Sequence, residues 1–496
     1  MPAIPMPVIE WGQIAPVLWL AGGAILVTLL AVGPPLARRL AGPAALAAIA
    51  AAAACTWSLW DLPAGAAGAL GGMVVMDHLA VCFHLIFLAT AALTVLISLP
   101  VMSERTVAGG APGSGQGEYY GLVLFATCGM LLMSASGNLL ILFLGLEILS
   151  LPLYVLVGFT RRDASLEASI KYFLLGAFST GFTVYGMALM YGATGTLELS
   201  RMIGIAPEVG EAGSMMLLAG FGLAMVGFLF KIAAFPFHYW LPDVYQGAPT
   251  TVTAFMIAGT KAAAFAAVLR VVAAPLFWSG PPVVEWTRLL TVLAALTMTA
   301  GNVVALVQND IKRMMAYSSI AHAGYLMIAV IARSPDGVSS VVFYLAAYLF
   351  MNLGAFAVVL AVDRARGGAG EGEAIASYAG LGRRHPMLAA AMALFMLSLT
   401  GVPLTGGFLG KFYIFRAALD SSLYGLAAVG LLNSALAAAY YLNVVVTMYM
   451  KEPVSEPPLV RTPAALGLGI ALSAAGVLWL GMFPDAVLGM AGHLLS

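Results

Sequence analysis

Charge is scarce in this chain. Only 9% of its 496 residues are Asp, Glu, Lys or Arg, and 22 basic residues balance 22 acidic ones. A net charge of zero offers no basic surface, so no nucleic-acid partner is expected. The apolar share of 62% and the mean hydropathy of +0.98 lie far outside the globular range. They predict an all-α polytopic protein that lies in a lipid bilayer.

Cysteine is also rare, and glycine is seldom clustered. Cys55, Cys82 and Cys128 stand singly in apolar segments, without a Cys-x-x-Cys motif or a Cys/His cluster. This argues against a disulfide framework, an iron–sulfur cluster and a metal site. The glycine-rich stretches 109–117 and 367–372 follow no strand and open no helix shaped for phosphate, so no cofactor-binding site is expected. The N-terminus lacks a basic segment, and no cleavable signal peptide is predicted.

Long apolar runs predict about fourteen transmembrane helices, because a bilayer core takes about 20 apolar residues per helix. The predicted spans are 13–33, 43–60, 77–100, 119–136, 138–159, 164–192, 213–240, 248–274, 287–308, 314–332, 338–362, 386–418, 422–449 and 463–490. With the N-terminus outside, thirteen Lys and Arg residues fall in inside loops and four fall outside, or five with Arg416. This bias supports an even number of spans and predicts that both termini lie outside.

Two of these spans are interrupted. Pro236 lies in the span 213–240, and the segment 401–407 contains three glycines and Pro403. Proline breaks the backbone ladder, and freed carbonyls in a membrane are tolerated only against protein or a wet cavity. Two broken helices five spans apart predict two inverted five-helix repeats around an ion path. The predicted domains are an N-terminal three-helix segment (1–118), the two repeats (119–274 and 287–449) and a C-terminal helix (450–496).

Charged side chains lie inside the apolar runs, where a charge costs about 2.5 kcal/mol or more and is usually functional. They are Glu147, Lys171, Lys231, Lys261 and Lys411. Glu147 is the ninth residue after Asn138, and its short side chain cannot reach the membrane surface. We predict that Glu147 is protonatable and pairs reversibly with Lys231, since the charge of a buried lysine depends on its partner. A static ion pair is the alternative.

The other buried lysines also allow two interpretations. Lys261 extends a polar stripe formed by Thr250, Thr253 and Thr260 at helical spacing. The stripe is either part of a proton relay or a helix-packing surface, because hydroxyl residues also hold membrane helices together. Lys411 follows the second break and is predicted to be the terminal proton site.

For three further residues, a role in a proton relay and a structural role are both consistent with the sequence. His322 shares a helix face with Ser318 and Tyr325; histidine is a suitable proton carrier, but it can also tie helices together. His238 lies in the aromatic segment after Pro236 and is either a relay residue or a structural hydrogen-bonding group. Lys171 lies four residues after Glu167, which is the spacing of a helical surface ion pair.

Five segments resemble the antiporter-like membrane subunits of respiratory complex I. They are Ser136-Gly-Asn-Leu-Leu, Leu144-Gly-Leu-Glu-Ile-Leu-Ser-Leu-Pro-Leu-Tyr, Glu167-Ala-Ser-Ile-Lys-Tyr-Phe, Phe230-Lys-Ile-Ala-Ala-Phe-Pro-Phe-His-Tyr-Trp-Leu-Pro-Asp-Val-Tyr-Gln-Gly-Ala-Pro and Asn309-Asp-Ile-Lys-Arg-Met-Met-Ala-Tyr-Ser-Ser-Ile-Ala-His. Among these subunits the chain is most similar to the N type. Lys411 stands where the M type usually has glutamate, and no long lateral helix of the L type is expected.

The resemblance implies a proton-translocating subunit of a bacterial NADH–quinone oxidoreductase in the cell inner membrane. Its proton path would comprise Glu147, Lys231, Lys261 and Lys411, with His322 as a bridge. FMN, the iron–sulfur clusters and quinone would belong to partner subunits, and antiporter-like paralogues would be neighbours. Two other readings remain: a subunit of a multisubunit cation/proton antiporter, and a structural spacer whose charges only hold helices together. A related hydrogen-evolving membrane complex also remains possible.

Overall fold

The structure is a computed structural model that describes residues 9–62, 68–104, 115–205, 209–276, 281–368, 370, 372–453 and 460–492. Within these ranges the chain is almost entirely helical, and its only β-structure is four isolated bridges. This confirms the predicted all-α class. The first eight residues and most of the glycine-rich stretch 109–117 lie outside the described residues.

The helices follow the predicted spans in chain order. The first twelve are α1 (Trp11–Val32), α2 (Pro35–Arg39), α3 (Ala41–Ser58), α4 (His78–Glu104), α5 (Gln116–Ser134), α6 (Leu139–Val157), α7 (Asp163–Thr194), α8 (Leu199–Ile205), α9 (Glu211–Ile232), α10 (Trp240–Gly247), α11 (Thr250–Phe255) and α12 (Lys261–Leu276). The others are α13 (Pro281–Ala305), α14 (Ile311–Ile331), α15 (Pro335–Ala365), α16 (Leu381–Arg384), α17 (Pro386–Thr400), α18 (Gly406–Asp420), α19 (Tyr424–Met450), α20 (Ala464–Met482) and α21 (Asp485–Gly492).

Twelve helical spans among the described residues are long and apolar enough to cross a membrane. The remaining two of the fourteen predicted spans correspond to α5, which is less apolar, and to the pair α17 and α18. The last predicted span, 463–490, is divided into α20 and α21 at Phe483 and Pro484. Proline cannot continue the hydrogen-bond ladder of a preceding helix, which explains this difference.

Both predicted helix breaks are present. The helix α9 ends at Ile232, and Ala233 turns the chain with a φ of +57° before α10 begins. The helix α17 ends at Thr400, and Gly401 turns the chain with a φ of +98° before α18 begins. The half-helix after the first break extends to Gly247, seven residues beyond the predicted end of that span.

A π-helical segment, Met256–Thr260, separates α11 from α12 and ends directly before Lys261. Sequence reasoning did not predict this segment, because a one-turn widening of the helix leaves the apolar pattern nearly unchanged. Such π-turns are rare and often occur at functional sites. Here the segment fixes the direction in which the first residue of α12 projects.

Two backbone bridges occupy equivalent places in the two halves of the chain. Asn138, which caps α6, pairs with Glu198, and Asp310, which caps α14, pairs with Ala374. The alternation of the spans puts the two bridges on opposite sides of the membrane. This arrangement fits two repeats of inverted topology. The exact repeat boundaries, 119–274 and 287–449, stay a prediction.

The centre of the molecule is formed by α14, α15 and the continuous span from α11 to α12. These spans are the most deeply buried of all. In contrast, α1, α7, α19 and α20 leave most of their surface uncovered, and it is rich in leucine and aromatic side chains. Lys261 and Lys312 on these central helices are therefore enclosed by protein and kept away from lipid.

Candidate functional site

Lys231 lies in the last turn of α9, beside the first break, and its side chain is buried. Its ammonium donates a hydrogen bond to Ser150 Oγ at 2.8 Å and a weaker one to Tyr172 Oη at 3.5 Å. It also lies 5.2 Å from the ring centre of Tyr172 and 5.9 Å from that of Tyr154. All of its contacts are with neutral groups, and cation–π attraction supplements the hydrogen bonds.

Glu147 and Lys231 are not joined by any of the described ion pairs, and their predicted reversible pairing stays a prediction. The carboxylate of Glu147 accepts a hydrogen bond from Thr180 Oγ1 at 3.0 Å. Ser150, one turn further along α6, takes the lysine instead. Glu147 is only half-buried, and Leu144 and Leu151 on the same side of α6 are exposed.

Lys261 is the first residue after the π-helical segment and is almost completely buried. Its ammonium donates to the backbone carbonyl of Ser319 on α14. The ring of Tyr348 on α15 lies below it, with the ammonium 5.6 Å from the ring centre. The central lysine thus connects the three most buried spans of the protein.

His322 lies one turn beyond Ser319 on α14 and is 1% exposed. Both of its ring nitrogens are hydrogen-bonded to phenol hydroxyls: Nδ1 to Tyr344 and Nε2 to Tyr441, the latter at 2.9 Å. The hydroxyl of Tyr441 is in turn bonded to Ser318. A histidine whose two nitrogens both meet exchangeable hydroxyls can take up a proton on one side and release it on the other.

Lys411 lies in α18, and its ammonium reaches back across the second break. It donates to the carbonyls of Leu399 and Thr400, each at 2.9 Å, and to Ser434 Oγ at 3.0 Å. The last carbonyls of α17 have no helical partner, so a cation satisfies them and matches the negative end of the helix dipole. At the first break the indole N–H of Trp240 satisfies a carbonyl near the end of α9, because it donates a hydrogen bond to the carbonyl of Phe230 at 3.0 Å.

Comparison with known proteins shows the family. The family model described as NADH:quinone oxidoreductase/Mrp antiporter, TM, matches residues 136–437. The NADH-quinone oxidoreductase subunit N of Trichlorobacter lovleyi is 49% identical over 421 residues, which cover 84% of this chain and 83% of that protein. The subunit N 3 of Streptomyces griseus is 41% identical over 98% of this chain and 94% of its own length. The chain belongs to the subunit N family of NADH–quinone oxidoreductase.

Solved structures agree with membership of the subunit N family. A chain of respiratory complex I from Thermus thermophilus with bound aureothin matches with a TM-score of 0.79 and 37% identity, over 96% of this chain and 99% of the other. A chain of the Mrp complex from Dietzia matches with a TM-score of 0.80 but at 21% identity, over 98% and 97% of the two chains. The second likeness shows a shared fold alone. This chain is therefore a multi-pass, antiporter-like membrane subunit.

Tyrosine is the part of this subunit N site that sequence reasoning missed. Tyr172, Tyr344, Tyr348 and Tyr441 are all buried and contact a lysine or His322, whereas we had taken only Tyr325 into account. Tyr325 contacts both His322 and Lys411, since its ring centre lies 5.3 Å from the Lys411 ammonium and 5.6 Å from the centre of the His322 ring. A fully buried tyrosine in a helix that could have used phenylalanine is the signal that could have found them.

Two of the predicted residues of this subunit N chain lie apart from the buried lysines. Lys171 is 43% exposed and is paired with Glu167 at 2.7 Å and with Asp243 at 2.9 Å, which matches the surface-pair reading. His238 is buried between Phe235 and Tyr239, and its Nδ1 has no hydrogen-bond partner among the described residues. Neither residue is joined to Lys231, Lys261 or Lys411 by a described hydrogen bond, and a relay role for either stays a prediction.

Metal binding finds no support in the described part of the chain. No group of three or more His, Cys, Asp or Glu residues in those ranges could hold a metal ion. The three cysteines are free. The buried lysines, the histidine and the tyrosines are the groups in this chain whose chemistry remains to be explained, and all of them can exchange protons.

Proposed function

We propose that this chain is a proton-translocating, non-redox subunit of a bacterial NADH–quinone oxidoreductase. Protons would move along a buried axis from Glu147 through Lys231, Lys261 and His322 to Lys411. Quinone reduction elsewhere in the complex would drive this movement through changes of charge and conformation at neighbouring subunits. The chain would act as a translocase component and carry out no electron transfer itself.

The observation that carries this proposal is that three buried lysines lie in a membrane protein without a described salt bridge to a carboxylate. Among the described ion pairs none involves Lys231, Lys261 or Lys411, and all their hydrogen bonds go to hydroxyls and carbonyls. A charge at bilayer depth is expensive and is seldom kept for packing alone. An ammonium held only by neutral acceptors can give up its proton without breaking an ion pair. This is what a proton relay requires, whereas a purely structural charge has no need to lose its proton.

The two ends of the axis support lateral transfer to neighbouring subunits. At one end, Glu147 is half-buried beside exposed leucines of α6. At the other end, Ser434 accepts a hydrogen bond from Lys411. Ser434 lies close in sequence to Leu431 and Leu432, which are 57% and 69% exposed. A half-exposed carboxylate in contact with lipid would be costly, so another membrane subunit should cover it. We infer that the partners are the other membrane subunits of complex I, including antiporter-like paralogues.

The rest of the assignment concerns location and redox groups. The chain would lie in the bacterial inner membrane with both termini on the periplasmic side, as the distribution of arginine and lysine indicates. FMN, the iron–sulfur clusters and the quinone site would lie in partner subunits. This chain would contribute the path for protons and hold no cofactor.

Replacing His322 with leucine tests the relay at its bridge. The substitution removes both ring nitrogens that contact Tyr344 and Tyr441. Because the two phenols remain, we expect quinone-linked proton translocation to fall about threefold, equivalent to about 0.6 kcal/mol of barrier. The measurement is acidification of inverted membrane vesicles driven by NADH. NADH oxidation with a hydrophilic artificial acceptor shows in parallel how much complex is assembled.

His84 provides the matched control for His322. It is also 1% exposed and bonded through Nε2 to the carbonyl of Leu131, but it belongs to α4 and contacts none of the lysines. We expect His84→Leu to leave translocation per assembled complex unchanged. Equal losses in the two variants, or wild-type translocation in His322→Leu, would contradict a relay through His322.

A cation/proton antiporter without a redox partner is the alternative function, since the same family model covers Mrp antiporters. The identity of 41–49% to subunit N proteins favours the oxidoreductase. Purification of the affinity-tagged chain in mild detergent separates the two. We expect flavin- and iron–sulfur-containing subunits to co-purify. A complex of membrane subunits alone would reject the oxidoreductase assignment.

A further inference from the structure

A cavity of about 760 Å³ opens on the face of the protein that the charge distribution assigns to the inside. Its walls come from the α6–α7 connection, α10, the start of α11 and α14, and the end of α15, all of which meet at predicted inside loops. Five carboxylates lie in the wall: Glu167, Asp243, Asp310, Asp363 and Glu373. Four basic side chains also line it: Arg162, Lys171, Lys312 and Arg364. The cavity is therefore a polar basin, rich in paired charges, that lies next to the buried spans.

A buried ion pair lies in the wall of this basin. Lys312 of α14 is 2% exposed, and its ammonium is 2.9 Å from Glu373 Oε1. It also donates to the carbonyl of Ala248 at 2.7 Å, at the junction of α10 and α11. The backbone of Glu373 is held in place, because its backbone carbonyl accepts a hydrogen bond from the backbone N–H of Ile311 at 2.8 Å. This bond belongs to the bridge that joins Asp310 to Ala374. The pair therefore connects the basin, the loop after α15 and the half-helix that follows the first break.

Polar residues on two facing spans lie between this pair and Lys261. Ser319 lies seven residues after Lys312 on α14, which puts it on the same face about 10.5 Å away, and its carbonyl accepts from Lys261. On the facing span, Thr250 lines the basin, and Thr253 and Thr260 follow at helical spacing towards Lys261. The threonine hydroxyls of the facing span thus lie between the basin and the central lysine, whereas Met315 and Ala316 separate Lys312 from Ser319 on α14.

We propose that Glu373 takes up protons from the inner cavity and that its ion pair with Lys312 closes the way from this cavity to Lys261. This inference rests on the proposed function, because it supplies that proton path with an entrance. When Glu373 is protonated, the carboxylate becomes neutral and its attraction to Lys312 is lost. When Glu373 releases the proton towards Lys261, the carboxylate and the pair form again, so charge and protons balance.

The groups that face Glu373 decide how it titrates. They are Lys312 and Asp310 at the start of α14, Asp363 on α15 and Tyr378 in the short turn after the loop. Burial raises the pKa of Glu373 above its ordinary value, and the two aspartates act in the same direction, while Lys312 opposes them. The protonated fraction therefore falls as the inside pH rises through this raised pKa. Proton uptake through Glu373 should fall in the same direction.

The test uses inverted membrane vesicles that contain the assembled complex, because their inside face is open to the buffer. We expect Glu373→Gln to lower NADH-driven proton translocation at least about fivefold and to abolish its dependence on external pH. Glu373→Asp should restore most of the rate but shift the pH profile. Glu104→Gln is the matched control: it removes an exposed carboxylate paired with Arg364 at the cavity rim, and its rate and profile should match the wild type.

Lys261→Met in the same vesicles separates this inference from the proposed function. Loss of translocation in Lys261→Met with an unchanged rate and pH profile in Glu373→Gln would reject the gate and leave the relay standing. Wild-type behaviour of both variants would reject both proposals. Should Glu373→Gln fail to assemble, Glu373→Asp alone carries the test, and an unshifted pH profile in that variant contradicts the role of Glu373.

Discussion

Lys231→Met is expected to assemble into the complex and to retain less than about a tenth of the wild-type quinone-linked proton translocation, a barrier increase of about 1.4 kcal/mol or more. The thioether fills the space of the side chain but binds no proton. Lys231 is the lysine nearest to Glu147, since it bonds to Ser150 one turn away on α6, so the path would be interrupted at its first lysine.

The structural cost of Lys231→Met should be small, which makes the variant informative. Ser150 also donates to the carbonyl of Leu146 at 2.5 Å and keeps that partner, whereas the Tyr172 hydroxyl loses only a long hydrogen bond of 3.5 Å. Vesicle acidification gives the rate, and oxidation of NADH by an artificial acceptor gives the amount of complex. Lys451→Met, an exposed lysine after the end of α19, is the control and should behave as the wild type. Wild-type acidification by Lys231→Met would refute the relay.

Lys411→Met is expected to affect both stability and translocation. The ammonium satisfies the carbonyls of Leu399 and Thr400 at the broken end of α17. A buried polar group that loses its partner costs about 1–3 kcal/mol, so the purified complex should lose membrane-arm stability on heating. Translocation should also fall below about a tenth of the wild-type rate, because Lys411 is the last lysine of the axis.

Lys411→Arg separates the two effects of Lys411. Arginine keeps a positive charge and several donors for the carbonyls, but it does not release its proton in proteins. We expect Lys411→Arg to recover most of the thermal stability, measured by a melting assay of the purified complex, and little of the translocation. Recovery of both would mean that Lys411 only caps α17. Loss of translocation without any loss of stability in Lys411→Met would contradict the capping role.

Sequence reasoning predicted the parts of the structure that depend on local chemistry. Apolar run length placed the spans, and Pro236 and the glycines at 401–407 placed both breaks. The residues that a low-dielectric interior penalises most, Lys231, Lys261 and Lys411, were found because their charge is conspicuous in an apolar run. Each of them is buried and hydrogen-bonded in the structure.

What could not be predicted depends on contacts between distant segments. Lys231 donates to Ser150 and Glu147 accepts from Thr180, and a serine or threonine in a membrane helix gives no sign of its partner in the sequence. In the sequence Lys312 is only one of the thirteen inside-loop Lys and Arg residues, and nothing singles out Glu373, because the loop that brings the two together is defined only by the bridge between Asp310 and Ala374. The buried tyrosines were missed for a similar reason, since apolar periodicity does not distinguish tyrosine from phenylalanine.

The central claim is that the buried lysines move protons and do not merely supply charge, and Lys231→Arg tests it most directly. The measurement is NADH-driven proton translocation by purified complex in proteoliposomes, normalised to NADH oxidation with an artificial acceptor. If Lys231 must release a proton, the arginine variant will assemble but translocate as little as Lys231→Met. Wild-type translocation by Lys231→Arg would show that a fixed positive charge is sufficient and would contradict the relay.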